Sequence, residues 1–276
     1  MATARKFRHS LGYWCLHDTD WKWSLDQICG LATKLAVESI ELLPLELIPE
    51  LKKYGLGSAL AFNGMPGAAF VKGLNNRRYH DEVIARTKET IEVCAAAGVP
   101  NVIAFTGYKW INAEDPSSGE IPLEEGADNC VEGLQQLAGF AERAGVTLCL
   151  EQLNTVDGTH PMKGHPGYQG DNMDYCAEIV RRAGSPRVKL LFDVYHVQIM
   201  HGDVIRRIHK YADLIGHVHT AGNPGRGELD DRQEIHFPGV MRALENIGYS
   251  GFIGHEFIPT RDPLASFREA VAVCES

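Results

Sequence analysis

The 276-residue chain has no apolar run long enough to span a membrane, no CxxC pair and no GxGxxG loop after its first strand-like segment. The first absence leaves no candidate transmembrane helix, which needs about 20 consecutive apolar residues. The second removes the usual signature of zinc ribbons and dithiol redox sites, and the third removes the phosphate-cradling turn of dinucleotide-binding sheets. Positive charge is also scarce: 27 Lys and Arg stand against 36 Asp and Glu, a formal net charge of -9, with no basic cluster. Nucleic acid and anionic membrane surfaces need such a cluster to neutralise their phosphates. The expected partner is therefore a small molecule, with no nucleic acid and no membrane, and homo-oligomerisation is left open. The opening MATARKFRHS runs into GYWCLHDTDWKW and not into an apolar h-region, so no signal peptide is expected. The seven cysteines, odd in number and scattered through apolar or helical segments, read as reduced buried thiols of a cytoplasmic protein.

What is present is a core-forming chain, 44% hydrophobic, with a repeating rhythm. Strand-like apolar runs occur at 7–14, 37–43, 57–62, 101–106, 146–153, 188–195, 215–220 and 251–257. Between most of them lie segments such as RRYHDEVIARTKETIEVCAAAG and NMDYCAEIVRRAG, whose apolar positions recur at three and four and which often close on glycine. The connection PLELIPELKKYG is shorter and weaker. Eight strands alternating with helices predict a single-domain (β/α)8 TIM barrel over 1–276. A doubly wound sheet is the alternative, although it would normally use fewer strands in this length. Three long polar loops follow the fourth, fifth and seventh runs, on the face where barrel enzymes build their sites. The segment 107–122 reads equally well as a plain surface excursion.

Within VKLLFDVYHVQI an aspartate interrupts an apolar run that belongs in the core. Comparable groups stand at the ends of the neighbouring strands, giving Glu151 in CLEQLN, Asp193 in LLFDVYH, His219 in GHVHTAG and Glu256 in IGHEFIP. In a barrel these ends converge, and three carboxylates cannot share a dry cavity unless a cation or retained protons offset their repulsion and desolvation. One divalent metal ion does so, and a donor set rich in oxygen suits Mn2+ or Mg2+, with Co2+ able to substitute. Singly, each residue reads as well as a solvated or helix-paired group; the joint pattern on four consecutive strands points to the metal. His196 is expected where the strand gives way to a loop, as a substrate contact or a support to the ligands. His217 and His255 are expected to be structural. Arg226 lies in NPGRGELD, a tight loop over a strand end, and offers paired donors to substrate oxygens or pairs on the surface with Glu228 or Asp230. Trp14 is expected to wall a sugar-sized pocket, with Tyr13, Trp21 and Trp23 as alternatives; Tyr108, Lys109, His165 and Tyr168 are further substrate candidates.

Through LEQLN, FDVYHVQIMHGD, IGHVHTAGNPGRGELDDRQEIHFPGV and IGYSGFIGHEF, the stretch 146–260 resembles the hydroxypyruvate isomerase group of the xylose-isomerase-like barrels, a superfamily that includes ketose 3-epimerases. The resemblance implies Glu151, Asp193, His219 and Glu256 as metal ligands, His196 and Arg226 as substrate-oxygen contacts, and the two glutamates as the proton-transfer pair. The chain departs from the hydroxypyruvate isomerases at His219, where they carry glutamine and the epimerases histidine, and at Ile258, where they carry lysine. The expected activity is isomerisation or epimerisation of a keto sugar or small hydroxy-carbonyl compound through a metal-stabilised enediolate. The alternatives are interconversion of hydroxypyruvate and tartronate semialdehyde, a non-catalytic sugar- or metal-binding barrel, and an endonuclease of the same barrel type, which the acidic charge disfavours.

Overall fold

The computed structural model describes residues 5–276, so the first four residues of the expected 1–276 barrel lie outside the description. The strands are β1 (Arg8–Gly12), β2 (Ser39–Glu41), β3 (Leu60–Ala61), β4 (Asn101–Ala104), β5 (Trp110–Asn112), β6 (Asp115–Glu120), β7 (Thr147–Glu151), β8 (Val188–Asp193), β9 (Ile215–Thr220) and β10 (Phe252–His255). The helices are α1 (Trp14–His17), α2 (Leu25–Lys34), α3 (His80–Ala97), α4 (Leu123–Ala144), α5 (Met173–Ala183), α6 (Val194–Met200), α7 (Val204–Lys210), α8 (Phe237–Asn246) and α9 (Pro263–Cys274). Eight strands pair in parallel in the order β2-β1-β10-β9-β8-β7-β4-β3. Bonds from Ile40 N to Gly57 O at 3.1 Å and from Leu42 N to Leu60 O at 3.0 Å bring the two ends of this sheet together. The result is the expected α/β barrel, with each of the eight apolar runs contributing one strand.

Local chemistry explains the helix limits. Ser24 and Gln27 form a reciprocal capping box at the start of α2, and Asn172 accepts from Asp174 N and Tyr175 N at the start of α5. α3, α4 and α5 stop at Gly98, Gly145 and Gly184, each in the left-handed conformation that glycine adopts without a Cβ penalty. In the weaker connection, Leu45–Tyr54 winds as a 3-10 helix with Pro49 inside it, and a proline there cannot donate the backbone bond that an α-helix needs. No helix among the described residues is long and apolar enough to cross a membrane. All seven cysteines are buried and unbridged.

Two boundaries differ from expectation. β8 ends at Asp193 and not at 195, because the Asp193 carboxylate accepts from Tyr195 N at 2.8 Å and caps α6, which starts at once. His196 consequently stands in the first turn of a helix and not in a loop. The 107–122 excursion is ordered by the antiparallel hairpin β5–β6.

A buried ladder of polar groups fastens the chain's end to the barrel wall. Glu275, just past α9, contacts His9 Nε2 at 2.8 Å; His9 Nδ1 contacts His255 Nε2 at 3.0 Å, and His255 Nδ1 contacts Thr220 Oγ1 at 3.0 Å. Burial pushes the His9 imidazole below its ordinary value even though Glu275 pulls the other way. The unfolded chain then binds a proton that the folded chain does not, so the stability His9 contributes is present above about pH 6.5 and is lost as pH falls below it toward the lowered folded value. We expect the urea midpoint, followed by far-ultraviolet circular dichroism, to fall between pH 7 and pH 5, and H9Q to have a flatter pH dependence than wild type. Equal slopes for the two proteins would mean that His9 titrates alike in both states.

Candidate metal centre

The parallel register delivers the site. Glu151 is the last residue of β7 and Asp193 the last of β8; His219 pairs directly with Asp193 on β9, and Glu256 follows β10. Directly paired residues of adjacent strands project to the same face, which here is the barrel interior. One ligand atom from each of Glu151, Asp193, His219 and Glu256 falls within 4.8 Å of the others. All four are buried, Glu256 being the most accessible at 6%.

The polar atoms at the centre are short of partners. His219 Nδ1 faces Glu256 Oε2 at 3.0 Å and Glu151 Oε1 at 3.7 Å, yet His219 Nδ1, Glu151 Oε1 and Asp193 Oδ2 are all buried without a hydrogen bond. Buried polar atoms are otherwise almost always satisfied. Three orphaned donor atoms converging in one cluster fit a divalent cation that accepts lone pairs from carboxylate oxygen and imidazole nitrogen. Arg226 offsets part of the negative charge, its Nη2 lying 2.5 Å from Glu256 Oε2 and 3.7 Å from Asp193 Oδ2. Burial raises the Glu151 carboxyl, with Glu256 and Asp193 adding to the effect against the pull of His219. Burial acts on Glu256 in the same direction, but Arg226 and His219 outweigh it and hold that group low. Trp14 Nε1 donates to Glu256 Oε1 at 2.7 Å and Arg226 Nη2 to Glu256 Oε2, so both carboxylate oxygens of Glu256 accept hydrogen bonds while buried Glu151 Oε1 accepts none.

A cavity of 390 Å³ opens over the cluster, with Glu151, Glu256 and Arg226 at its floor and Phe62, Phe70, Phe105 and Met162 among its walls. Trp14 lines it, but the indole nitrogen is committed to Glu256, so the residue orients a carboxylate as well as forming wall. Arg226 is 3% exposed and turned inward, not paired with Glu228 or Asp230 on the surface. His165 also lines the cavity, its ring 4.2 Å from Phe70. His196 Nδ1 receives the backbone and side-chain N–H of Asn154 at 3.2 and 2.7 Å, which leaves the ring proton on Nε2, 3.5 Å from Asp193 Oδ2 and without a partner. The remaining candidates fall elsewhere. Lys109 pairs with Glu120 at 2.6 Å on the β5–β6 hairpin, because that hairpin draws its side chain outward. Tyr108 bridges to Tyr168 in the backbone and is absent from the cavity lining. Tyr168 is buried in the wall, donating to Glu151 O at 2.9 Å and accepting from Thr106 N at 2.9 Å, so it steadies the strand that carries Glu151.

Sequence reasoning missed Glu41 and Asn154. Glu41, fully buried on β2, contacts Nε2 of both His217 and His219. The signal that exposes Asp193, a carboxylate inside an apolar run, is equally present in SIELL. Asn154 ends LEQLN, where it was legible as a polar residue past a strand end but its partner 42 positions away was not.

An eight-stranded parallel barrel with carboxylates and an imidazole gathered at its C-terminal strand ends has the architecture of a metal-site TIM barrel. The xylose isomerase-like TIM barrel family model matches residues 32–276, and the chain belongs to that family. It is 34% identical over 146 residues to the 2-oxo-tetronate isomerase of Cupriavidus necator, covering 51% of this chain and 53% of that one. It is 29% identical over 138 residues to the hydroxypyruvate isomerase of Escherichia coli, covering 50% of each. The chain thus spans about half the length of these curated relatives. Among solved structures, a family 2 AP endonuclease from Brucella melitensis superposes with a TM-score of 0.79 at 23% identity, covering 94% of this chain and 96% of that one. The 3-keto-D-glucoside 4-epimerase of E. coli gives 0.74 at 18% identity, covering 98% and 99%. At such identities these two likenesses establish the fold alone.

Wild-type protein stripped with chelator and titrated with Mn2+ is expected to take up one ion per chain, read by metal analysis and isothermal titration calorimetry. At a free Mn2+ concentration of 100 times Kd the folded state gains about 2.7 kcal/mol, seen as a higher urea midpoint. D193N, which keeps volume but removes a charge, should lose most of that gain. An unchanged midpoint in wild type on Mn2+ addition would reject the centre.

Proposed function

We propose that this chain is a divalent-metal-dependent isomerase or epimerase that moves a proton beside the carbonyl of a neutral keto sugar or other polyhydroxy ketone. The observation that carries the reading is that Glu151 and Glu256 belong to the four-residue cluster and also form the floor of the cavity. Glu151, Asp193, His219 and Glu256 would hold a divalent cation, Mn2+ or Mg2+ with Co2+ able to substitute, which would supply Lewis-acid charge to offset negative charge developing on substrate oxygens. One glutamate takes the proton from the carbon next to the carbonyl and the other returns a proton to the adjacent carbon or the opposite face. Arg226, which lines the cavity, offers N–H donors to substrate oxygens, whereas His196, fully buried and outside the cavity lining, keeps its Nε2 proton toward Asp193 and supports the ligands. The aromatic wall excludes water around the reacting carbon and packs on C–H faces of the substrate.

A small hydroxylated 2-keto acid is the second reading, with hydroxypyruvate converted to tartronate semialdehyde, and the names of the half-length relatives favour it. Such a substrate carries a carboxylate that calls for its own cation. No lysine lines the cavity among the described residues, residue 258 is isoleucine, and the positive charge of Arg226 is already offset by Glu256 and Asp193, which leaves it N–H donors but no spare charge. These observations support the neutral substrate. A phosphodiester substrate is supported only by a likeness of fold, and uptake of three ions per chain would favour it.

Incubating Mn2+-loaded enzyme with hydroxypyruvate, tetruloses, pentuloses and hexuloses, with products separated by chromatography, is expected to give turnover of at least one keto sugar. Turnover of hydroxypyruvate alone would select the second reading, and no turnover of any member would favour a binding protein. E151Q and E256Q should each lower turnover by about 10²-fold or more, the scale of positioned acid–base catalysis, with metal occupancy measured on the same samples. A fully loaded E151Q/E256Q double variant of near-normal activity would reject both assignments.

A further inference from the structure

We infer that Glu41 is a positioning residue that holds His219 in the tautomer and orientation needed to present Nδ1 to the metal centre. The inference rests on the metal reading above and adds a residue that the four-ligand cluster does not contain. Glu41 Oε1 lies 2.7 Å from His219 Nε2 and 3.1 Å from His217 Nε2, and the side chains of all three residues are 0% exposed. A carboxylate only accepts hydrogen bonds when ionised, so contact with Nε2 requires the imidazole proton to be there. Nδ1 is then the nitrogen left to present a lone pair when a cation takes the place of its proton, and it faces Glu256 Oε2 at 3.0 Å and Glu151 Oε1 at 3.7 Å. An ionised acceptor behind an imidazole also makes the opposite nitrogen a better ligand.

The barrel is shaped around this contact. His219 on β9 and Glu41 on β2 are separated in the sheet by β10 and β1, so their side chains meet inside the barrel, past Gly254 on β10. A Cβ on Gly254 would collide with Glu41 Oε1 and come within 2.7 Å of His219 Cδ2. Gly254 is not among the residues with positive φ, so its missing side chain is a matter of space and not of backbone conformation. His217 stands edge-on to His219, ring centres 5.0 Å apart, and shares the same oxygen. Glu41, His217 and His219 also have the composition of a ligand triad. A second ion there would have to take His219 Nε2, which leaves no proton for Glu41 to accept; the two arrangements are mutually exclusive and the test separates them.

The test compares Mn2+ binding by wild type, E41Q and G254A, using calorimetry and electron paramagnetic resonance, with the urea midpoint of each metal-free protein alongside. E41Q keeps an acceptor and the volume but loses the charge, and its Mn2+ Kd is expected to rise 10- to 100-fold. G254A should weaken Mn2+ binding in the same direction by forcing the pair apart. A purely structural role would lower the metal-free midpoint and leave the Kd of folded protein unchanged, and an E41Q Kd within twofold of wild type overturns the inference while leaving the metal centre standing. Wild type that binds no Mn2+ overturns the metal reading itself, and two ions per chain with one lost in E41Q makes Glu41 a ligand. Should E41Q fail to fold, wild type decides the matter: a long-range 1H–15N spectrum of the Mg2+-loaded protein should give His219 as the Nε2–H form with a slowly exchanging proton, and an Nδ1–H form would overturn the proposal.

Discussion

Three carboxylates and an imidazole confined to one dry point at the top of the barrel make the constraint on which the remaining features depend. Two like charges about 4 Å apart repel by roughly 4 kcal/mol at an effective dielectric constant of 20. Three such pairs are not held together by their own chemistry. They are held by eight paired strands whose ends have nowhere else to go, and by groups that answer the charge: Arg226 at Glu256 and Asp193, Trp14 at Glu256, and the backbone N–H of Tyr195 at Asp193. Glu151 Oε1, Asp193 Oδ2 and His219 Nδ1 have charged neighbours but no hydrogen bond, and that shortfall suits a cation.

Legibility in the sequence follows the range of the interaction concerned. The four cluster residues were legible because strand order in a barrel equals chain order, so a polar residue at each of four successive strand ends implies a meeting point without any further information. Glu41 was not, since its partners on β9 lie 176 and 178 positions away and three strand pairings across the sheet. Asn154 was hidden for a related reason: its role is to choose the tautomer of His196, and that shows only once α6 starts immediately after Asp193. The misplaced Lys109 comes from the β5–β6 hairpin, whose pairing turns a residue near a strand end away from the barrel mouth. In the cavity wall, Phe62 and Phe105 directly follow β3 and β4 at the ends of readable apolar runs, whereas Phe70 comes from an irregular segment that carries no periodicity to read.

The two glutamates differ in their surroundings although both sit at the cavity floor. Glu256 is engaged by an indole, a guanidinium and the imidazole, whereas Glu151 is fastened mainly through its backbone by Tyr168 and keeps a free side-chain oxygen. Two carboxylates with the same chemistry but unlike environments are the usual way in which one site separates a proton acceptor from a proton donor. The asymmetry is built largely by Arg226, Trp14 and Tyr168, residues outside the cluster, so the composition of the four-residue set alone does not reveal it.

Arg226 joins these elements and explains a local cost in the backbone. Its φ of 56° is unusual for a residue with a Cβ, an arrangement that costs on the order of 1–2 kcal/mol. The flanking Gly225 and Gly227 and the bond from Gly222 N to Gly227 O at 2.8 Å let the loop accept it. In return the guanidinium reaches the barrel interior, where Nε and Nη2 bond to Glu256 and Nη1 bonds to the carbonyl of Met162 on the opposite loop, with Trp14 beneath its plane. A guanidinium has five N–H donors, and three are engaged by these contacts. Two remain, so holding Glu256 and bonding to the Met162 carbonyl do not exhaust the hydrogen-bonding capacity of Arg226.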